Sequence, residues 1–85
     1  MPKLVRVEVR YYAQLRENLR LSREEAELEL PTTEDVILRG LVSLHPVQEK
    51  LILASRIAVE DAYLPQGTVI HELTSLDVIS PVSGG

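Results

Sequence analysis

Between Leu4 and Tyr12 the chain alternates cleanly. Val5, Val7, Val9 and Tyr11 fall on one side, and Arg6, Glu8 and Arg10 on the other. Alternation with period two predicts a half-buried strand with one wet face. The period then changes, and Leu15 and Leu19, four residues apart, predict a short helix directly after the strand. Alternation returns from Ala26 to Leu30, where Leu28 and Leu30 oppose Glu27 and Glu29. The first two strands are therefore expected to form a hairpin-like pair joined by that polar, partly helical segment.

Pro31 ends the second strand and a longer helix follows. Thr32 or Thr33 can cap it, and Glu34 and Asp35 suit the positive end of the helix dipole. Val36, Ile37, Leu38, Leu41, Val42 and Leu44 make a broad apolar stripe meant for the core. Gly40 lies within that stripe, where a glycine costs about 1 kcal/mol against alanine, so close packing on the sheet is expected there. His45-Pro46 stops the helix, because a residue before proline is pushed out of helical geometry. Val47 to Leu53 is a candidate second helical segment. Ile57-Ala58-Val59 reads as a strand, Glu60-Asp61 as a tight turn, Ala62-Tyr63-Leu64 as the return, and Pro65-Gln66-Gly67 as another turn. Thr68 to Ile70 suits a strand or a loop, and Leu76 to Ile79 is the last strand. One long helix among these strands gives the α+β order of a β-grasp fold: a mixed sheet of four to five strands on one main helix. Residues 1–80 are expected to form one domain, with 81–85 as a mobile tail.

Composition narrows the function. With 85 residues the chain suits one small domain, and 45% apolar residues suffice for one core. There is no Trp or Phe and only three Tyr, so the core is expected to be aliphatic. The net charge of −4 argues against a nucleic-acid partner and for a basic protein surface. Without Cys there is neither a disulfide framework nor a thiolate site. No secretory leader is read at the start and no apolar run is long enough to span a membrane, so a cytoplasmic protein is expected.

The chain closes on Ser83-Gly84-Gly85. At ordinary glycine usage about one chain in two hundred ends so by chance. Two residues without side chains can thread a channel too narrow for others, at a cost in ordering entropy. A carboxylate presented at the end of such a thread is available for activation. The plain alternative is an unstructured terminus.

The residues upstream favour the first reading. Tyr11-Tyr12-Ala13-Gln14-Leu15-Arg16-Glu17 resembles the "FFAxxRE" stretch of the molybdopterin synthase small subunit. Ile79-Ser80-Pro81-Val82-Ser83-Gly84-Gly85 resembles that family's closing "PPVSGG". Ala58-Val59 resembles its short "AVN" strand, with Glu60 in the place of Asn. The related thiamine-pathway carrier lacks the first of these. Two departures stand out: Ser80 replaces the first proline of the pair, and Glu72-Leu73-Thr74 takes the place of an Asp-Gly-Asp turn.

The resemblance implies a ubiquitin-like sulfur carrier. An adenylating enzyme would activate the Gly85 carboxylate with ATP, and a sulfur donor protein would convert it to a thiocarboxylate. The large synthase subunit would then take up the tail, and sulfur would pass to cyclic pyranopterin monophosphate. The carrier itself would bind no cofactor and no metal. A carboxylate is ionised at neutral pH and a poor electrophile, which is why activation must come first.

Other chemistry is less well supported. His45 and His71 have no metal-ligand spacing. Glu24-Glu25 with Glu27 and Glu29 could suggest paired carboxylates, but the latter two read better as the solvated face of a strand, and Arg6 and Arg10 read as cross-strand partners of glutamates. No glycine-rich loop precedes a helix. The alternatives to a molybdenum-pathway carrier are a β-grasp carrier or modifier serving thiamine, tRNA thiolation or lysine conjugation, and a non-covalent β-grasp binding module. For a carrier, the partner would grip Pro81, Val82, Ser83 and Gly84 together with Ile79. One of two sets on the last strand must complete the core, and Leu76 with Val78 is assigned to it, leaving Ile79 and Val82 for docking.

Overall fold

A computed structural model describes residues 2–81, in the order β1 (Lys3–Tyr12), α1 (Ala13–Leu19), β2 (Arg23–Leu30), α2 (Glu34–Leu44), a 3-10 turn (Pro46–Gln48), α3 (Glu49–Leu53), β3 (Arg56–Val59), β4 (Ala62–Tyr63) and β5 (Ser75–Ile79). The expectations for Val82, Ser83, Gly84 and Gly85, tail mobility included, lie outside the described residues. The strands form one sheet ordered β2-β1-β5-β3-β4. β1 runs parallel to β5 and antiparallel to β2, while β3 is antiparallel to both β5 and β4. The sheet is therefore mixed, with the first and last strands side by side at its centre.

Alternation sets the two faces. Val7, Val9 and Tyr11 of β1 are buried together with Leu76 and Val78 of β5 and Ile57 of β3, under Ile37, Leu38 and Leu41 of α2. Ile52 of α3 and Leu15 of α1 belong to the same core. Leu76 and Val78 thus take the core positions assigned to them. The core is not wholly aliphatic, since Tyr11 is one of its largest members.

Thr33 is the residue that caps α2, its hydroxyl accepting from the Val36 N–H. Thr32 is buried and bridges to Ile70, each exchanging backbone hydrogen bonds with the other, so the segment after the Gly67 turn ends as a single bridge rather than a strand. Glu34 does more than suit the dipole. Its carboxylate accepts from the Ile57 N–H at 2.7 Å and from Arg56 Nε at 3.1 Å, tying the start of α2 to the start of β3. Glu60 and Asp61 both have positive φ, 52° and 67°, the geometry of a two-residue turn that follows the twist of its strands.

Three expectations need correction. Gly40 faces solvent, and a Cβ built on it meets nothing within 4 Å, so close packing does not explain it. Val36 and Leu44, assigned to the core stripe, are about half exposed, because the sheet is too narrow for α2 to bury its whole apolar arc. β2 begins at Arg23 rather than Ala26, which carries the alternation back far enough to turn Glu24 toward the helix side.

Candidate functional site: the end of β5

The candidate site is built where β5 ends. Tyr12 pairs with Ile79 on one side and Arg56 with Ile79 on the other, so the chain leaves the sheet between these two side chains. Ile79 is half-buried on the face away from the helices, Ser80 is buried and Pro81 is exposed.

Ser80 fastens this exit. Its hydroxyl accepts from the Leu15 N–H and donates to the Tyr12 carbonyl, each at 3.2 Å. Those two groups flank Ala13, which has φ 56° in the left-handed region that disfavours a side chain. A strained strand-to-helix junction is thus pinned by the residue that opens the tail. Ser80 stands where the closing segment that the sequence resembles has a proline, which could neither accept nor donate these bonds from a side chain.

The outer face beside the exit is organised by Asp77. Arg10 Nε donates to Asp77 Oδ1 at 2.7 Å, and the Tyr12 hydroxyl lies 3.4 Å from the same oxygen. The hydrogen bond to Asp77 and its charge raise the Arg10 pKa, so that guanidinium stays charged. Arg10 also lies 3.8 Å from Glu8, whose other oxygen is 3.4 Å from Arg23. The cross-strand pairing expected for Arg6 is present with Glu25 at 3.9 Å, whereas the residue opposite Arg10 on β2 is Arg23 and its close partner is on β5. Farther along, the Arg56 guanidinium lies 5.4 Å from the Tyr63 ring centroid. The outer face at the exit thus carries Tyr12 and Ile79 side by side, with Arg56 on the other side of Ile79 and against Tyr63.

A second polar cluster, on the opposite face, was not foreseen. Glu24 accepts from the Tyr11 hydroxyl at 2.5 Å and sits 2.6 Å from His45 Nε2, while the Tyr11 and His45 rings meet edge to face. Burial, and then Glu24, push the Tyr11 hydroxyl above the ordinary tyrosine pKa. Every member has a local reading of its own (core tyrosine, strand glutamate, helix-ending histidine), and the signal that joins them was the alternation, which once extended to Arg23 sets Glu24 inward. Asp77 could have been found as the lone acid within an apolar strand.

Among the described residues no cluster of three His, Asp or Glu side chains could hold a metal ion, and no helix is long and apolar enough to cross a membrane. His71 is exposed in a loop, and His45 has Glu24 as its partner.

No family model matches this sequence, and no curated protein does so by sequence. Its architecture, in contrast, is shared with solved structures. The putative molybdopterin converting factor subunit 1 from Pyrococcus furiosus superposes with a TM-score of 0.72 at 21% identity, covering 92% of this chain and 99% of that one. SAMP1 from Haloferax volcanii superposes at 0.74 with 20% identity, covering 95% and 100%. A third protein, solved in solution and also from Haloferax volcanii, superposes at 0.72 with 18% identity, covering 96% and 88%. The fold is the ubiquitin-like β-grasp. Near-complete coverage in both directions means that the shared unit is nearly the whole chain.

Proposed function

We propose that this protein is a sulfur carrier of molybdenum cofactor biosynthesis, with Gly85 as its reactive end. The observation that carries the reading is the exit of β5 at the centre of a β-grasp sheet, fixed by Ser80 and followed in sequence by Pro81-Val82-Ser83-Gly84-Gly85. The likeness to a putative molybdopterin converting factor subunit supports it, and the Tyr11–Glu17 stretch favours this pathway over other β-grasp carriers.

The chemistry needs little from the carrier itself. The Gly85 carboxylate attacks the α-phosphorus of ATP in an adenylating enzyme, and pyrophosphate leaves. The terminal sulfur of a persulfide on the donor protein displaces AMP to give an acyl disulfide, and a second thiol then attacks the donor's sulfur, forming a disulfide and freeing the thiocarboxylate. Within the large subunit the thiocarboxylate passes its sulfur to cyclic pyranopterin monophosphate, and water returns the Gly85 acyl carbon to a carboxylate. Two terminal glycines let the reacting group enter enclosed sites, where positioning and preorganised dipoles supply the catalysis. Ile79 and Val82 are the apolar docking residues beside the thread, with Pro81, Ser83 and Gly84 gripped along it. The setting is cytoplasmic.

The test is intact-mass measurement of the chain after co-expression with its activating enzyme and sulfur donor. A fraction heavier by the exchange of one oxygen for sulfur is expected, and deletion of Gly85 or addition of one residue after it should abolish the shift. Equal thiolation of the extended chain would overturn the assignment. Transfer of the label to cyclic pyranopterin monophosphate with the large subunit separates this pathway from the other carriers. Ile79→Asp or Val82→Asp should weaken large-subunit binding at least about tenfold, or 1.4 kcal/mol.

A further inference from the structure

The edge of the sheet farthest from β4 is formed by β2, and among the described residues its eight residues pair on one side only, with β1. An edge strand of that length presents a row of main-chain donors and acceptors, which another extended chain can complete. Beside it runs an open groove of about 400 Å³, walled by Ala26 and Leu28 of β2 and by Gly40, Leu41 and Leu44 of α2. Val36, Gly40 and Leu44 are spaced four apart and so form one column along α2. All three are exposed. Gly40 leaves the middle of that column empty, with nothing within 4 Å of the space a Cβ would take.

The charges along β2 select the occupant. Glu25, Glu27 and Glu29 stand on the face away from the helices, and among the described residues Glu27 and Glu29 make no ion pair. A second copy of this chain pairing β2 against β2 would set glutamate near glutamate, which is unfavourable. A strand added to this edge alternates its side chains between the α2 groove and the glutamate face.

We propose that β2 and α2 form a second docking site, independent of the tail, for an extended peptide of a partner protein that alternates apolar with basic residues. Its apolar side chains fill the groove over Ala26, Leu28 and the Gly40 gap. Its lysines or arginines meet Glu25, Glu27 and Glu29. Its backbone continues the sheet.

The probe is a heptapeptide of alternating lysine and valine, titrated into the full-length protein while amide NMR shifts are followed. Shifts confined to β2 and to α2 around Gly40, with a dissociation constant below about 1 mM, are expected. Gly40→Phe, which fills the gap, and the double variant Glu27→Lys/Glu29→Lys should each weaken binding at least about tenfold, the first with its melting temperature preserved. A peptide of the same composition with its lysines in one block should bind at least about tenfold more weakly than the alternating one. Equal binding of the block peptide, undiminished binding to Gly40→Phe, or absence of shifts at β2 would each overturn the site. So would a protein that binds no peptide and whose Glu25→Gln/Glu27→Gln/Glu29→Gln variant self-associates, since the glutamates would then serve only to keep the edge from pairing.

Discussion

Adjacent residues of β1 build a polar joint on each face of the sheet, and the two joints work differently. On the helix side, Tyr11 donates to Glu24, and Glu24 holds His45 at the end of α2. On the open side, Arg10 and Tyr12 converge on Asp77 of β5. The inner joint ties a helix to the sheet through a hydroxyl kept protonated by burial. The outer joint ties the first strand to the last through an ion pair in which water reaches Arg10 while Asp77 is buried. The inner joint borders the apolar core, of which Tyr11 is a member, while the outer joint arranges a surface beside the exit of the chain.

The sharpest way to break this comparison is along β5, where neighbouring positions face opposite sides. Leu76→Ala should cost about 2–5 kcal/mol in urea unfolding, as expected for a fully buried leucine. Ile79→Ala should cost less than half as much. Equal losses would mean that both faces are core.

Ser80 lies between the two sides, and its replacement by alanine should cost about 1–3 kcal/mol by leaving the Leu15 N–H and the Tyr12 carbonyl without their partner. A change in melting temperature within error would show that the hydroxyl is dispensable and Ala13 held by other means.

The inner joint has a pH signature. An unfolded tyrosine ionises near pH 10, while folded Tyr11 keeps its proton to higher pH. Its contribution is fully present below about pH 10 and is lost as pH rises through the folded value, because the unfolded state releases the proton first. Stability should fall above about pH 10, and Tyr11→Phe should flatten that fall while costing about 1 kcal/mol at neutral pH. An unchanged alkaline slope in Tyr11→Phe would remove Tyr11 from the account.

The smallest effect has the opposite sign. Gly40→Ala should stabilise by up to about 1 kcal/mol, because the helix position is open and alanine loses less freedom on folding. Destabilisation would mean that the space beside Gly40 is not free.

Much of the fold was legible in the pattern. Alternation at Val5–Tyr11 and spacing at Leu15 and Leu19 placed β1 and α1, the Thr33 cap and the His45-Pro46 stop bounded α2, and Leu76 with Val78 fell in the core. What misled was width. Six apolar residues on α2 looked like one buried stripe, but a helix buries only the arc that the sheet can cover, and Val36 and Leu44 fall outside it. The candidate site was legible as a motif, from Ile79 to Gly85, and not as a geometry. Nothing local to Ser80 announces that its hydroxyl reaches Leu15 and Tyr12, more than sixty residues away in the chain.

The sequence by itself determined the alternation of faces along β1 and the order of the elements, because periodicity, caps and turns act over a few neighbours. Only the tertiary structure decided which strands became neighbours, and with them the meeting of Arg10 with Asp77 and of Glu24 with His45. Such pairings depend on how the whole apolar surface closes over one small core, a cooperative choice that no local run of residues encodes.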